Sequence, residues 1–254
     1  MTAPVLFVVT DGLLIITINR PDRRNAIDRA MSQAIADQID RLERDDGLRA
    51  AILTGAGDHF CAGMDLKAFL NGERVELEGR GLAGLTETPP QKPLIAAVEG
   101  YALAGGFEIA LACDLIVASE TARFGIPEVK RGLIAGSGGL IRLPERMPRQ
   151  VALEFALTGR MMDAEEAARW GLVSRLTPPG SALNAARALA QAIIANAPLA
   201  VAATKEIVNE AQYWPRSELW TRQNAILERV IASDDAEEGA RAFTEKRAPE
   251  WRGA

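Results

Sequence analysis

Two glutamates, Glu108 and Glu128, stand 20 positions apart in settings that suit catalysis better than packing. Glu108 closes the segment Ala102-Leu103-Ala104-Gly105-Gly106-Phe107-Glu108 and is carried by an otherwise apolar run from Leu103 to Cys113. Glu128 closes Phe124-Gly125-Ile126-Pro127-Glu128. A carboxylate in an apolar run is at least partly buried, which is costly unless the group is paired or used. The double glycine ahead of Glu108 opens a predicted helix and leaves backbone N–H groups free to face a ligand. Two carboxylates beside exposed donors are the equipment for acid/base chemistry on a carbonyl compound. Taken singly, each glutamate could equally be a surface or ion-paired residue, and Gly105-Gly106 could serve only close packing.

The elements that must position these residues alternate strands with helices. Residues 5–10 and 13–19 are rich in β-branched side chains, and Asp11-Gly12 between them is a two-residue hairpin signal. Ile27, Met31, Ile35, Ile39 and Leu42 recur at spacings of three and four, marking an amphipathic helix that begins near Asp28 and ends near Asp46-Gly47. Further strands are predicted over 50–54, 94–98, 115–118 and 172–176. Helices are predicted over 105–113 and 163–170, and Asp65 is placed as the N-cap of a short helix reaching Leu70. The stretch 71–90 has mixed charge and no regular apolar spacing, and is read as a mobile segment or lid. Residues 132–139 form a glycine-dense loop. Pro178-Pro179-Gly180 is a hard stop. Beyond it, 182–195, 198–212, 216–231 and 237–246 read as successive helices without strand signal, the mark of an appended helical layer and an interface.

Composition bounds the function. The 254 residues fit one large domain or a domain with a helical appendix. With 29 basic against 34 acidic residues the net charge is −5, so no global basic field invites nucleic acid, and a charged ligand must be met by local Lys and Arg. Cys61 and Cys113, both in apolar surroundings, read as free buried thiols. The single histidine, His59, has no clustered partner to make a zinc site, and no metal is expected. The most apolar stretch, 94–118, contains Glu99, Glu108 and Asp114, which argues against a membrane span. No secretory signal is evident, and a cytoplasmic location is expected. Neither the dinucleotide fingerprint nor the phosphate-loop lysine is present.

Several segments taken in order resemble the crotonase (enoyl-CoA hydratase/isomerase) superfamily, most closely its enoyl-CoA hydratases. They are Asn19-Arg20-Pro21 with Arg24-Asn25-Ala26, Phe60-Cys61-Ala62-Gly63-Met64-Asp65-Leu66, Gly100-Tyr101-Ala102 through Glu108, and Cys113-Asp114. Phe124 to Glu128, Gly138-Gly139 with Arg142-Leu143, Thr158-Gly159-Arg160 and Phe243-Thr244-Glu245-Lys246-Arg247 continue the match across nearly the whole chain. The resemblance implies an α/β fold of the crotonase-like (ClpP/crotonase) type, a spiral of ββα units, where periodicity alone reads as an ordinary doubly wound sheet. It divides the chain into a core with the active site, 1–195, and a helical C-terminal oligomerisation region, 196–254, giving a homotrimer or a dimer of trimers.

What the resemblance implies for chemistry is a hydro-lyase that adds water reversibly to 2-enoyl-CoA thioesters, in the setting of fatty-acid β-oxidation. Coenzyme A enters with the substrate, and no further cofactor is expected. By motif position the backbone N–H groups of Met64 and Gly105 form the oxyanion hole. Glu108 positions and deprotonates water, and Glu128 supplies the Cα proton. Arg24, Ala26, Ala62, Asp65, Leu66 and Lys67 match segments that line the CoA channel, and Phe243 and Lys246 match positions that reach the CoA of a neighbouring subunit. Retention of both glutamates leans toward hydration rather than double-bond isomerisation. Two departures touch the acyl preference: Ala135 stands where many relatives carry proline, and Leu140-Ile141 replaces a commoner polar pair. The alternatives are an enoyl-CoA isomerase, a carnitinyl-CoA-type dehydratase, and, from another class, a non-catalytic CoA-binding or scaffold protein.

Overall fold

The computed structural model describes residues 3–253. Asp11 and Gly12 both adopt positive φ, 48° and 76°, the left-handed pair that a two-residue hairpin needs to join β1 (Val5–Thr10) to β2 (Leu13–Ile18). The remaining strands are β3 (Ala50–Gly55), β4 (Leu94–Val98), β5 (Tyr101–Leu103), β6 (Leu115–Ser119), β7 (Arg123–Gly125), β8 (Met161–Asp163) and β9 (Arg175–Thr177). The helices are α1 (Arg29–Arg44), α2 (Leu66–Leu70), α3 (Gly105–Ala112), α4 (Gly139–Arg146), α5 (Arg149–Thr158), α6 (Ala164–Arg169), α7 (Ala182–Ile194), α8 (Pro198–Glu210), α9 (Leu219–Ile231) and α10 (Asp234–Glu245).

Six strands form one sheet in the order β1-β2-β3-β4-β6-β9, parallel everywhere except at the β1–β2 hairpin. The short strands β5, β7 and β8 form a second sheet. The chain alternates between the two: β4 joins the large sheet, β5 the small one, and α3 follows; β6 joins the large sheet, β7 the small one, and α4 follows. This strand–strand–helix repeat is the spiral, and it differs from a doubly wound sheet in sending β5 and β7, each next in sequence to a strand of the large sheet, to a second sheet. The three short strands escape sequence reading because three residues carry no usable period. The strand expected over 172–176 lies instead at β9, because Leu172 and Val173 are buried against the core as the chain turns out of α6.

Alternation along the large sheet supplies two cores. Leu14, Ile16, Ile18, Leu53, Leu94 and Ala96 face the larger one. Leu13, Ile15, Ile52, Ile95, Ala97 and Val117 face the other way, against Ala182, Ala186 and Ala190 of α7. Helix α1 buries the stripe read from its sequence, with Met31, Ile35, Ile39 and Leu42 at most 2% exposed, each contributing about 1.5–3 kcal/mol. Its N-cap is Asp28, whose side chain accepts the Met31 N–H at 2.9 Å and pairs with Arg20 at 3.1 Å. Asp28→Ala is expected to cost about 1 kcal/mol in urea unfolding. An unchanged midpoint would show that the cap contributes nothing.

The expectation of a lid over 71–90 is corrected. Val75, Leu82, Ala83 and Leu85 are buried, the Ala83 N–H donates to Ser32 Oγ of α1 at 3.2 Å, and Arg80 pairs with Asp40 of α1 at 2.6 Å. Single apolar residues, irregularly spaced, plug into the side of α1, so the segment is a packed wall without showing a period. In the C-terminal layer, α8 buries no residue fully, α9 only Ile226, and α10 Asp235 and Ala242. Among the described residues no single helix is long and apolar enough to cross a membrane.

Candidate active site

Two backbone segments are drawn together by strand pairing. The Cys61 N–H donates to Tyr101 O at 2.9 Å, and the Leu103 N–H donates to Cys61 O at 3.0 Å, aligning 61–64 with β5. On its other side the same segment is zipped to the early loop: the Ala62 N–H donates to Arg24 O at 2.9 Å and the Ile27 N–H to Gly63 O at 2.8 Å. Between the segments, Ala104 holds φ 52° and ψ −132°, a conformation that costs an alanine about 1–3 kcal/mol. The surroundings enforce it, because its N–H donates to Gly125 O at 2.7 Å and its carbonyl accepts from Phe107 and Glu108. That turn starts α3 at Gly105. Among the described residues neither the Met64 N–H nor the Gly105 N–H donates to a protein acceptor, and a methyl group placed on Gly105 would lie 3.6 Å from Met64 N. Two unused donors side by side, one at a helix start, make a seat for an anionic oxygen.

Both glutamates face the cavity beside this seat, a space of about 260 Å³ lined by Ala62, Met64, Leu66, Leu82, Gly105, Glu108, Glu128 and Ser137 among others. Glu108 is 2% exposed. Its Oε1 accepts the N–H groups of Ser137 and Gly139, each at 2.8 Å, which leaves Oε2 without a partner among the described residues. Burial pushes its carboxyl above the ordinary value. The Gly139 and Ser137 N–H groups oppose the rise, Glu128 adds to it, and Arg142 opposes it. Glu128 also lies above its ordinary value through burial, against its own backbone N–H and Arg131. Its Oε2 is buried with no hydrogen-bond partner. A buried carboxyl oxygen with nothing to bind is suited to carry a proton and deliver it.

The CoA candidates divide. Ala62 and Leu66 line the cavity. Arg24, Ala26 and Asp65 belong to the two zipped segments and Lys67 to the first turn of α2, and none of the four lines the cavity. Asp65 is the N-cap of α2, accepting from Lys67 at 2.9 Å and Ala68 at 3.4 Å, and it pairs with Arg20 at 2.9 Å. Burial disfavours its ionisation, but those two N–H groups and Arg20 outweigh burial and hold the carboxyl below its ordinary value. Phe243, 88% exposed, and Lys246, the left-handed C-cap of α10, do not line the cavity within one chain.

Cys61 is a buried thiol pushed up to about 12 by burial, against the Gly63 N–H, and is therefore no nucleophile. His59 stacks on Tyr101 with centroids 4.5 Å apart and its Nδ1 accepts the Tyr101 N–H at 3.3 Å; it lies outside the cavity lining. Among the described residues no group of three or more His, Cys, Asp or Glu side chains is placed to share a metal. Sequence reasoning missed Leu82, Phe69, Glu76, Arg131 and Ile134 in the lining. It also missed the amides of Ser137 and Gly139 that seat Glu108, although the Gly138-Gly139 motif marked the place.

A model of the Enoyl-CoA hydratase/isomerase family matches residues 9–254. The chain is 45% identical over 262 residues to carnitinyl-CoA dehydratase of Proteus mirabilis (strain HI4320), covering 98% of each protein. Among solved structures, enoyl-CoA hydratase from Mycobacterium tuberculosis H37Rv superposes with a TM-score of 0.97 at 59% identity, covering 99% of both chains. Carnitinyl-CoA hydratase from Mycobacterium avium superposes at 0.80 with 45% identity, covering 100% of both. The chain belongs to the enoyl-CoA hydratase/isomerase family. Within that family it is an enzyme of the hydro-lyase type.

Proposed function

We propose that this chain adds water reversibly across the Cα–Cβ bond of a 2-enoyl-CoA thioester, with the glutamate pair and the amide seat in the roles the resemblance implies. The observation that carries the reading is one cavity faced by Glu108, by Glu128 and by the unused N–H groups of Met64 and Gly105. Glu108 Oε2, free of partners, takes a proton from water as the water oxygen bonds to Cβ. The π electrons move onto the thioester oxygen, where the two N–H groups hold the charge. The enolate collapses as Glu128 passes its proton to Cα, and the proton on Glu108 returns to Glu128 through solvent. Dehydration runs the same steps backward. The chemistry requires no cofactor beyond the CoA of the substrate. We propose further that 196–254 assembles a trimer, supported by exposed Trp220, Leu227, Ile231 and Phe243 on that layer.

A second acyl group has specific support. Phe69 and Glu76 line the cavity, an aromatic face and a carboxylate of the kind that receive a quaternary ammonium group. Together with the 45% identity to carnitinyl-CoA dehydratases, this favours a carnitinyl thioester as an alternative dehydration substrate. Purified chain assayed on crotonyl-CoA, a 3-enoyl-CoA and carnitinyl-CoA separates the readings. Hydration of crotonyl-CoA with little isomerisation supports the first. A preference for carnitinyl-CoA that Glu76→Gln or Phe69→Leu weakens supports the second. Tight binding of all thioesters without turnover would overturn both.

A further inference from the structure

One half-buried arginine connects the two walls of the cavity without lining the space between them. Arg142 stands on α4, just after the loop whose amides seat Glu108, and is absent from the cavity lining. Its Nη2 donates to Thr86 O at 2.6 Å, and its Nη1 donates to Ser137 O at 3.5 Å. Between these contacts the guanidinium lies directly over Gly138, which holds φ +95°; a Cβ there would run into Nη1 and come within 3.3 Å of Cζ. The Ser137 side leads to Glu108, because among the described residues the Ser137 and Gly139 N–H groups are the carboxylate's only donors. The Thr86 side leads to the oxyanion seat. Thr86 Oγ1 accepts the Leu82 N–H at 2.8 Å, and Leu82 Cδ2 packs against the bare Cα of Gly105.

We propose that Arg142 is a positioning residue for the reaction: its planar fork locks the loop that seats Glu108 to the wall that presses on Gly105, so that base and oxyanion donors keep a fixed separation. A lysine offers a point charge and cannot span two carbonyls set at the ends of a fork. The inference rests on the hydration reading above. A displacement of catalytic groups by about 1 Å costs on the order of 100-fold in rate, and that is the scale expected here.

The charge also matters. Groups facing Glu108 are Glu128 and Arg142; groups facing Arg142 are Glu145, Glu108, Cys113 and Tyr213. Arg142 opposes the rise that burial imposes on Glu108, so its removal lifts the Glu108 carboxyl further. Glu108 must be ionised to take a proton from water, so the acid limb of the pH–rate profile then moves to higher pH.

The test compares Arg142→Gln, Arg142→Lys and Gly138→Ala in the full chain, with crotonyl-CoA as substrate. Arg142→Gln is expected to lower kcat about 100-fold with KM changed less than threefold, and to shift the acid limb upward. Arg142→Lys is expected to restore the acid limb but not kcat. Gly138→Ala pushes the guanidinium aside while keeping it in the protein, and is expected to lower kcat by a similar factor; it serves as the second probe if Arg142→Gln does not fold. A kcat within twofold of wild type in Arg142→Gln or Gly138→Ala, or a loss of thermal stability with an unmoved acid limb, overturns the proposal. If the wild-type chain itself hydrates no thioester, the hydration reading has failed instead.

Discussion

Glu128→Gln is expected to lower crotonyl-CoA hydration by roughly 10²–10⁴-fold with the fold intact, and Glu108→Gln by a similar factor. The amide of a glutamine has nearly the volume of the carboxyl it replaces, so packing is preserved while proton exchange is lost. In Glu108→Gln the acceptor for the Ser137 and Gly139 N–H groups survives as the amide oxygen, but the free oxygen that faces water becomes an NH₂ group. The two limbs of the pH–rate profile belong to the pair, since Glu128 helps to raise the Glu108 carboxyl. Full turnover in either variant would falsify the assignment of the pair.

The same variants carry a stability prediction of opposite sign. Burial raises the folded-state carboxyl of Glu128 above its unfolded value, so the folded state binds the proton more tightly. The contribution of this group to stability is therefore fully present below the ordinary carboxylate range and is lost as pH rises through the raised value. Above that raised value the buried, partnerless oxygen carries part of a charge, a liability that neutral glutamine does not share. Glu128→Gln is expected to melt at or above the wild-type temperature near neutrality, with the difference shrinking on acidification. An inactive variant that is also more stable is what a site held against its own stability produces. A Glu128→Gln protein that melts well below wild type at neutral pH would mean the residue is structural.

What could be read from the sequence was what local spacing encodes. The α1 stripe, the Asp11-Gly12 hairpin, the Asp65 cap and the buried start of α3 each follow from a few neighbouring residues, and each formed where expected. The glutamates themselves stood out because a charged group in an apolar run is anomalous on any fold. The small sheet was not legible: Tyr101–Leu103, Arg123–Gly125 and Met161–Asp163 are too short to show alternation, and only their mutual pairing makes them strands. The 71–90 wall was misread because its buried residues answer to the side of α1 rather than to each other. Seating of Glu108 was invisible for a different reason. Its partners are main-chain amides of Ser137 and Gly139, about thirty residues downstream, and amides carry no side-chain identity to read. Resemblance supplied the roles of Met64 and Gly105 for the same reason: a backbone donor is recognisable only by the geometry around it.

That dependence on geometry makes Gly106 the second position where a large effect is expected. A Cβ on Gly106 would overlap Cys61 O and lie 2.7 Å from Cys61 C and 2.8 Å from Cys61 Cβ. None of these atoms can yield cheaply, because Cys61 is tied into β5 through both its N–H and its carbonyl. Helix propensity argues the other way, since alanine in place of glycine favours a helix by up to about 1 kcal/mol. Overpacking against fixed backbone costs about 1–3 kcal/mol, so Gly106→Ala is expected to be net destabilising, though not enough to unfold a protein of ordinary stability. The rate tells more. The overlap is relieved only by moving α3 away from the 61–64 segment, which separates the Gly105 N–H from the Met64 N–H. Loss of one oxyanion donor costs about 10²–10³ in kcat, so the variant is expected to bind the thioester and turn it over at that reduced rate. Urea unfolding and steady-state kinetics on the same preparation separate the two effects. Wild-type kcat in a folded Gly106→Ala protein would show that the contact between α3 and Cys61 does not set the distance between the donors, and that the seat for the oxyanion lies elsewhere.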